Sequence, residues 1–297
     1  MLIFSAPRDI VIVRRIARDF FRNSEVMLGQ NRLTKTWLRA RSLSSHHRGC
    51  DVLFSPHPPS VFDYTIVKIC ERLGLRRKTH LTEKTVIAVQ WKDSSIVDPI
   101  SPIDGIRILN HKCLDITKRQ VETKFEEIFG YPLAADPAIP GHRIVRKSNL
   151  NATHDGVIFD TPVQPEPGYV YETLVNSQIN ERFVEDIRVP VIGRQIPYIY
   201  LKRRPIEIRF VDMHSSVEMT GPESCFSIPE MDLIKNFVES MGADFCELDI
   251  LRDRKSGLIY IVDLNKTPHS SVIKLNFLER MHAVDKLAVA FESEFLS

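Results

Sequence analysis

The chain has 297 residues, 43% of them apolar and 26% charged, and a formal net charge of +2. At about 150 residues per domain this length suggests roughly two folding units with a sizeable core, and the near-neutral balance argues against a dominant nucleic-acid footprint, which needs a strong basic stripe. Five cysteines (Cys50, Cys70, Cys113, Cys225, Cys246) form no CxxC pair, which excludes a disulfide framework or zinc knuckle and fits a reducing, cytoplasmic setting.

Leu2–Phe4 reads as a strand, Ser5–Asp9 as a turn, and Ile10, Val13, Ile16, Ala17 and Phe20 recur at helical spacing. This apolar start is broken by Pro7, Arg8 and Asp9, so it lacks the pattern of a signal peptide. No apolar run of about 18 residues predicts a membrane span. Asp51–Phe54 is a second strand, closed by Pro56, Pro58 and Pro59. Val61–Leu75 is helix-like, and Val86–Val89 is a third strand. Residues 93–105, with Pro99, Pro102 and Gly105, read as a linker. A strand–turn–helix opening is that of an α/β domain, and the boundary falls near residue 105.

The second unit opens on a helix with Thr117 and Gln120 at capping-box spacing, an apolar stripe of Val121, Phe125, Ile128 and Phe129, and a stop at Gly130 and Pro132. Arg143–Arg146 reads as a strand leading into Lys147 and Ser148. A polar loop (Asn149–Gly156) and two strands, Val157–Phe159 and Tyr169–Val175, follow. Val189–Ile192 and Ile196–Leu201 flank Gly193-Arg194 as a hairpin, and Ile206–Val211 is expected to extend that sheet. Ser227 and Glu230 cap a second helix with Leu233, Phe237 and Met241 as its stripe and Gly242 at its end. Phe245–Leu251 and Leu258–Leu264 form a strand pair, and residues 272–296 a terminal helix.

The strand pair carries the most chemistry. Side chains alternate along a strand, so Glu247 and Asp249 share one face, with Cys246, Leu248 and Ile250 on the other. Asp263 and Asn265 share a face, with Val262 and Leu264 opposite. A symmetric closure about Arg252–Gly257 sets Glu247 across from Asp263, with Asp249 diagonal. Like charges facing each other destabilise a sheet, and a hard divalent cation with oxygen ligands removes that conflict. A solvated polar face is the alternative reading. Lys202 and Arg204 share strand parity and, with Arg188, Arg203 and Arg209, make a local basic run suited to phosphate or acyl phosphate. A single-strand nucleic-acid groove would need interleaved exposed aromatics, for which Tyr198 and Tyr200 are the candidates. His154 and His269 are acid–base candidates that more often serve as plain hydrogen-bonding residues, and His46-His47 has no partner pattern for a metal. No serine-hydrolase, zincin or P-loop motif occurs.

The strand pair ending in Asp263-Leu264-Asn265, followed by the Pro268 turn, resembles the closing motif of the ATP-grasp superfamily, and residues 107–271 follow that family's order. Lys118 at a helix start and Lys147 at a strand end resemble its two ATP lysines. Tyr171-Glu172-Thr173-Leu174-Val175 resembles the hinge strand that meets adenine. The segments around Arg188 and Lys202–Pro205 resemble the basic strands facing the phosphates. Two departures stand out. The loop Ser148–Gly156 holds one glycine where many members have several, and no acidic residue follows the hinge for the ribose, leaving Asn176 or Asn180.

The resemblance implies an α/β fold: a Rossmann-like N-terminal domain over 1–105 and an ATP-grasp domain over 106–297, with halves at about 115–175 and 176–297. It implies an ATP-dependent ligase that activates a carboxylate as an acyl phosphate for attack by an amine or other nucleophile, with small-molecule substrates and no nucleic-acid partner. A kinase of the same superfamily and a non-catalytic nucleotide- or partner-binding module are the alternatives. Asp249, Asp263 and Asn265 are the implied ligands of Mg²⁺ (or Mn²⁺), with Glu247 in reserve. Lys118, Lys147, Ser148, Glu172, Leu174 and Asn176 are the implied nucleotide contacts, and Arg188, Lys202 and Arg204 balance charge on the transferred phosphoryl group.

Overall fold

Stretches of alternating or continuous β-branched and apolar residues build three sheets in this computed structural model, which describes residues 31–210, 215–269 and 275–297. The expected opening strand, turn and helix over residues 2–20 lie outside the described residues.

The first sheet is wholly parallel. Strands β1 (Asp51–Pro56), β2 (Arg76–Lys78), β3 (Thr85–Trp91) and β4 (Ile108–Leu109) lie in the order β2-β1-β3-β4. Helix α1 (Thr65–Leu73) connects β1 to β2. It is shorter than the apolar pattern of 61–75 suggests. Tyr64 is extended and bridges to His269, and Gly74, at φ 69°, turns the chain out of the helix. β2, basic and short, has no apolar signal in the sequence.

Helix α2 (Lys118–Phe129) starts at Thr117, whose hydroxyl accepts from the Gln120 amide, and ends at Gly130 in the left-handed region. Three antiparallel strands follow, β5 (Arg143–Ser148), β6 (Val157–Asp160) and β7 (Tyr169–Thr173), in the order β6-β5-β7.

The largest sheet is antiparallel, in the order β10-β9-β8-β11-β12. Its strands are β8 (Phe183–Ile192), β9 (Ile199–Pro205), β10 (Ser216–Thr220), β11 (Phe245–Arg252) and β12 (Ile259–Asn265). The expected hairpin about Gly193 joins β8 to β9, and Gly193 adopts φ 56°. The expected sheet extension over 206–211 is not formed over its described part, 206–210: Pro205 ends β9 and Ile206–Ile208 coils into a 3₁₀ turn. Pro205 offers no amide to continue the ladder. Helix α3 (Ile228–Ser240) has a reciprocal Ser227–Glu230 capping box, and buries Ile234, Phe237 and Val238. Helix α4 (Phe277–Phe295) is capped by Asn276 and Glu279.

Two cores result. One joins the parallel sheet, α1 and α4 to Ile192, Tyr200 and Phe245 of the large sheet and to Tyr198 of the β8–β9 connection. The other joins α2 and α3 to the opposite face of β8, β11 and β12. Among the described residues no helix is long and apolar enough to cross a membrane.

Candidate functional site

The site grows from the alternation along β11. Cys246, Leu248 and Ile250 point into the second core, which leaves Glu247 and Asp249 on the other face. β12 crosses beside it, but not in the symmetric register expected from the sequence. A bulge after Asp249 sets Asp249 across from Asp263 and Glu247 across from Asn265. A bulge adds one residue to a strand and re-aims its side chains. Val262, expected on the core side with Leu264, packs against the second core and also lines the cleft beside Leu251 and Asp263.

On the other side of β11, Arg188 of β8 pairs in register with Asp249. The ladder thus lays Arg188, Asp249 and Asp263 in one row across three strands. Arg188 grips Asp249 with two hydrogen bonds, Nε to Oδ1 at 2.9 Å and Nη2 to Oδ2 at 2.7 Å, and lies 3.5 Å from Glu247. Lys202 on β9 reaches Asp249 at 3.4 Å, and Lys118 at the start of α2 reaches Asp263 at the same distance. Arg204 pairs with Asp186, and Lys147 of β5 with Glu172 of β7. Lys202 and Arg204 project to one side, as their strand parity predicts.

Burial and charge act against each other here. Burial alone raises the Asp249 carboxyl, yet the charges of Arg188 and Lys202 hold it well below the ordinary range. Glu247, 2% exposed, stays raised because burial and the neighbouring Asp249 outweigh the pull of Arg188. Its Oε1 accepts from Thr65 at 3.3 Å, while Oε2 is buried without a hydrogen bond. Burial also lowers Lys202, which Asp249 offsets only in part. Lys118 goes the other way: burial lowers it, but Asp263 and Glu172 raise it further.

Nine of the residues singled out from the sequence line one cleft of about 840 Å³: Lys118, Lys147, His154, Arg188, Lys202, Arg204, Arg209, Asp249 and Asp263. All but His154 and Arg209 come from α2, the three-stranded sheet and the large sheet, and Asp186, a site residue the sequence reading passed over, joins them. Its signal was its place two residues before Arg188, on the same face of β8.

The loop over residues 149–156 covers this cleft. Asp155 accepts from the Ser148 amide at 3.0 Å and from the Thr153 hydroxyl at 2.9 Å, and these bonds lower its carboxyl despite burial. Asn151 ties the loop to the Leu264 carbonyl. Its one glycine, Gly156, is where the Phe210 ring approaches: a Cβ there would meet the ring at 2.6 Å.

Four proposed nucleotide contacts sit elsewhere. Ser148, Glu172, Leu174 and Asn176 do not line the cleft. Glu172 is buried on Lys147, and the Asn176 amide is held by Asp253 at 2.9 Å. Beside Glu172 lies Glu122 of α2, which the sequence reading missed although it stands one helical turn beyond Lys118. Burial and the Glu172 charge push Glu122 up to about 8. Tyr198 and Tyr200 are fully buried and joined through their hydroxyls at 2.8 Å, so they cannot serve as stacking platforms for bases.

Asn265 faces a second, wider cleft of about 1460 Å³, which shares Arg188, Asp249, Asp263 and His154 with the first and continues to Asp93, Ile96 and His269. Its amide oxygen accepts from the Thr267 amide at 2.9 Å. Among the described residues no three His, Cys, Asp or Glu side chains converge on a metal position.

No protein-family model and no curated protein matches the sequence. Among solved structures the chain is similar to the ATP-grasp ligase PsnB complexed with minimal precursor, at 15% identity and TM-score 0.45, over 64% of this chain and 64% of that one. The chain therefore spans just under two thirds of that protein. It is also similar to PsnB complexed with precursor peptide PsnA2 and AMPPNP, at 12% identity and TM-score 0.49, over 84% of this chain and 99% of that one. A third is the RimK domain protein ATP-grasp from Sphaerobacter thermophilus, at 11% identity and TM-score 0.46, over 84% and 100%. These three structures are ATP-grasp proteins.

Proposed function

We propose that this chain is an ATP-dependent ligase of the ATP-grasp kind, which activates a carboxylate as an acyl phosphate for attack by an amine or another nucleophile. One observation carries the reading: a half-buried row of alternating charge, Lys118–Asp263 beside Lys202–Asp249–Arg188, at the junction of a three-stranded and a five-stranded antiparallel sheet. In this reading residues 1–105 are a Rossmann-like N-terminal domain and 106–297 the ATP-grasp domain.

Without a ligand, the cations and carboxylates of the row neutralise one another. A nucleotide triphosphate with a divalent cation brings the complementary set of charges. Lys118 can then turn from Asp263 to a phosphate, and Asp263 and Asp249 can turn to the metal. Two facing carboxylates and the Asn265 amide oxygen suit Mg²⁺, which takes oxygen ligands at few protein positions and completes its shell with phosphates and water. When bound, that ion neutralises charge on the phosphates.

The chain's own residues supply position and field. Arg188, Lys202 and Arg204 line the side of the cleft where a phosphoryl group would lie. Arg204 is held by Asp186 and Arg188 also lies against Glu247, contacts that do not depend on the proposed metal ligands and keep these two cations in place as charge develops. Lys147 reaches the cleft from β5, oriented by Glu172. The loop over 149–156 covers the site and limits water.

Calorimetry of ATP binding with and without Mg²⁺, on wild type and on Asp263→Ala, tests the reading. Expected are Mg²⁺-dependent binding in the wild type, weaker binding in the variant, and ADP release that requires both an acid and an amine. Asp263→Ala should abolish that turnover while the fold persists. Near-normal turnover in this variant removes the metal assignment. No nucleotide binding under any condition removes the function. A stable phosphorylated product without an amide bond redirects it to a kinase.

A further inference from the structure

The second cleft has a wall chemistry unlike the first. Of its lining cations only Arg188 is a lysine or arginine, and Arg188 is already shared between Asp249 and Glu247. Asp249 and Asp263 at the same end are matched by Lys202 and Lys118. Asp93, which also lines this cleft, accepts one hydrogen bond, from the Thr267 hydroxyl at 3.0 Å, and forms no salt bridge among the described residues. Nearby Lys266 is turned away toward the Cys113 carbonyl.

Part of the wall is aliphatic. Ile96 and Leu150 are 58% and 54% exposed, and both line this one cavity together with buried Ile116. Large aliphatic side chains left in water together around a cavity mark a surface that a ligand covers. A rim carboxylate with no salt bridge among the described residues can receive a cation.

We propose that the second cleft holds the substrate to be joined, and that this substrate carries an ammonium group received by Asp93 and an aliphatic body lying along Ile96 and Leu150. The assignment rests on reading the first cleft as the Mg-ATP site, since the two clefts meet at Arg188, Asp249 and Asp263. Two sources share this chemistry: an amino acid-like carboxylate substrate, whose carboxylate would lie toward Arg188, and an amine nucleophile without a carboxylate.

The test is calorimetry on the full chain loaded with Mg²⁺ and AMPPNP, using L-leucine, L-leucinamide, glycinamide and N-acetyl-L-leucinamide as probes. Leucine or leucinamide should bind, with glycinamide and the acetylated amide at least about tenfold weaker. Tighter leucine binding identifies the carboxylate substrate, and tighter leucinamide binding the amine. Asp93→Asn and Ile96→Lys, both at exposed positions outside the first cleft, should each weaken the better probe about tenfold and leave AMPPNP binding unchanged. If AMPPNP binds but neither leucine compound does, or if both variants match the wild type, the inference is overturned alone. If AMPPNP does not bind, the proposed function falls and the inference with it.

Discussion

At the residue scale, Glu122 and Glu172 pose the sharpest electrostatic problem in the chain. Both are buried, both keep one oxygen without a hydrogen bond, and Lys147 is bonded to Glu172 rather than shared between them. Glu122, pushed up to about 8 by burial and by Glu172, is therefore neutral at pH 7. A carboxyl whose pKa is raised on folding stabilises the fold below its unfolded value, about 4.3, and that contribution disappears as pH rises through 8. At about 1.36 kcal/mol per pH unit, the wild type should lose on the order of 2–3 kcal/mol between pH 6 and pH 9 from this residue. Glu122→Gln keeps the shape without the charge, so urea unfolding of the variant should lack that loss. An equal loss in both proteins would show that Glu122 does not titrate in this window. The sequence could not flag it, because a glutamate inside an amphipathic helix reads as solvent-facing until the packing of α2 beside β7 is known.

At the element scale, the site depends on how β11 and β12 are delivered. Gly242 and Gly257 precede the two strands, and both have positive φ, 68° and 77°. Their surroundings differ. A Cβ on Gly242 would sit 2.6 Å from the Lys112 backbone, while a Cβ on Gly257 would meet nothing within 4 Å. Gly257→Ala should therefore cost only the backbone strain, about 1 kcal/mol. Gly242→Ala adds a clash with an immovable backbone, and should cost on the order of 2–4 kcal/mol. Chemical denaturation of the two variants checks the ordering, and equal costs would mean that the segment around Lys112 yields easily. Local signals made much of this legible. Capping boxes and glycine stops marked α2 and α3, and alternation marked β11 and β12 to within a residue. The acidic cluster and the shared side of Lys202 and Arg204 followed from strand parity. The bulge that aligns Asp249 with Asp263 did not, because it depends on how two strands settle on a common core. Nor did the second cleft, since residues 93–96 read as linker until the fold brought them beside Asn265 and Thr267.

At the scale of the whole molecule, the first core decides how the parts respond together. It is not confined to the parallel sheet. It takes in α4, Tyr198 of the β8–β9 connection, and Ile192, Tyr200 and Phe245 from the large sheet that carries the candidate site. Phe291 is fully buried at its centre, edge-on to Phe295 with centroids 5.1 Å apart. Phe291→Ala should cost about 3–5 kcal/mol, the usual price of emptying an aromatic position in a packed core. Because that core spans both ends of the chain, the loss should be felt everywhere at once. Both tryptophans, Trp37 and Trp91, precede residue 106, so their fluorescence follows the N-terminal part, while far-UV circular dichroism follows all the sheets. The two probes should give one coincident unfolding transition in the wild type, shifted equally in the variant. On the proposed function, saturating Mg-ATP should raise both midpoints by the same amount, since a ligand held only by the folded state stabilises the entire cooperative unit. A tryptophan transition that separates from the dichroism, or that ignores the nucleotide, would mean that the parallel sheet folds independently and that the shared core does not couple it to the site.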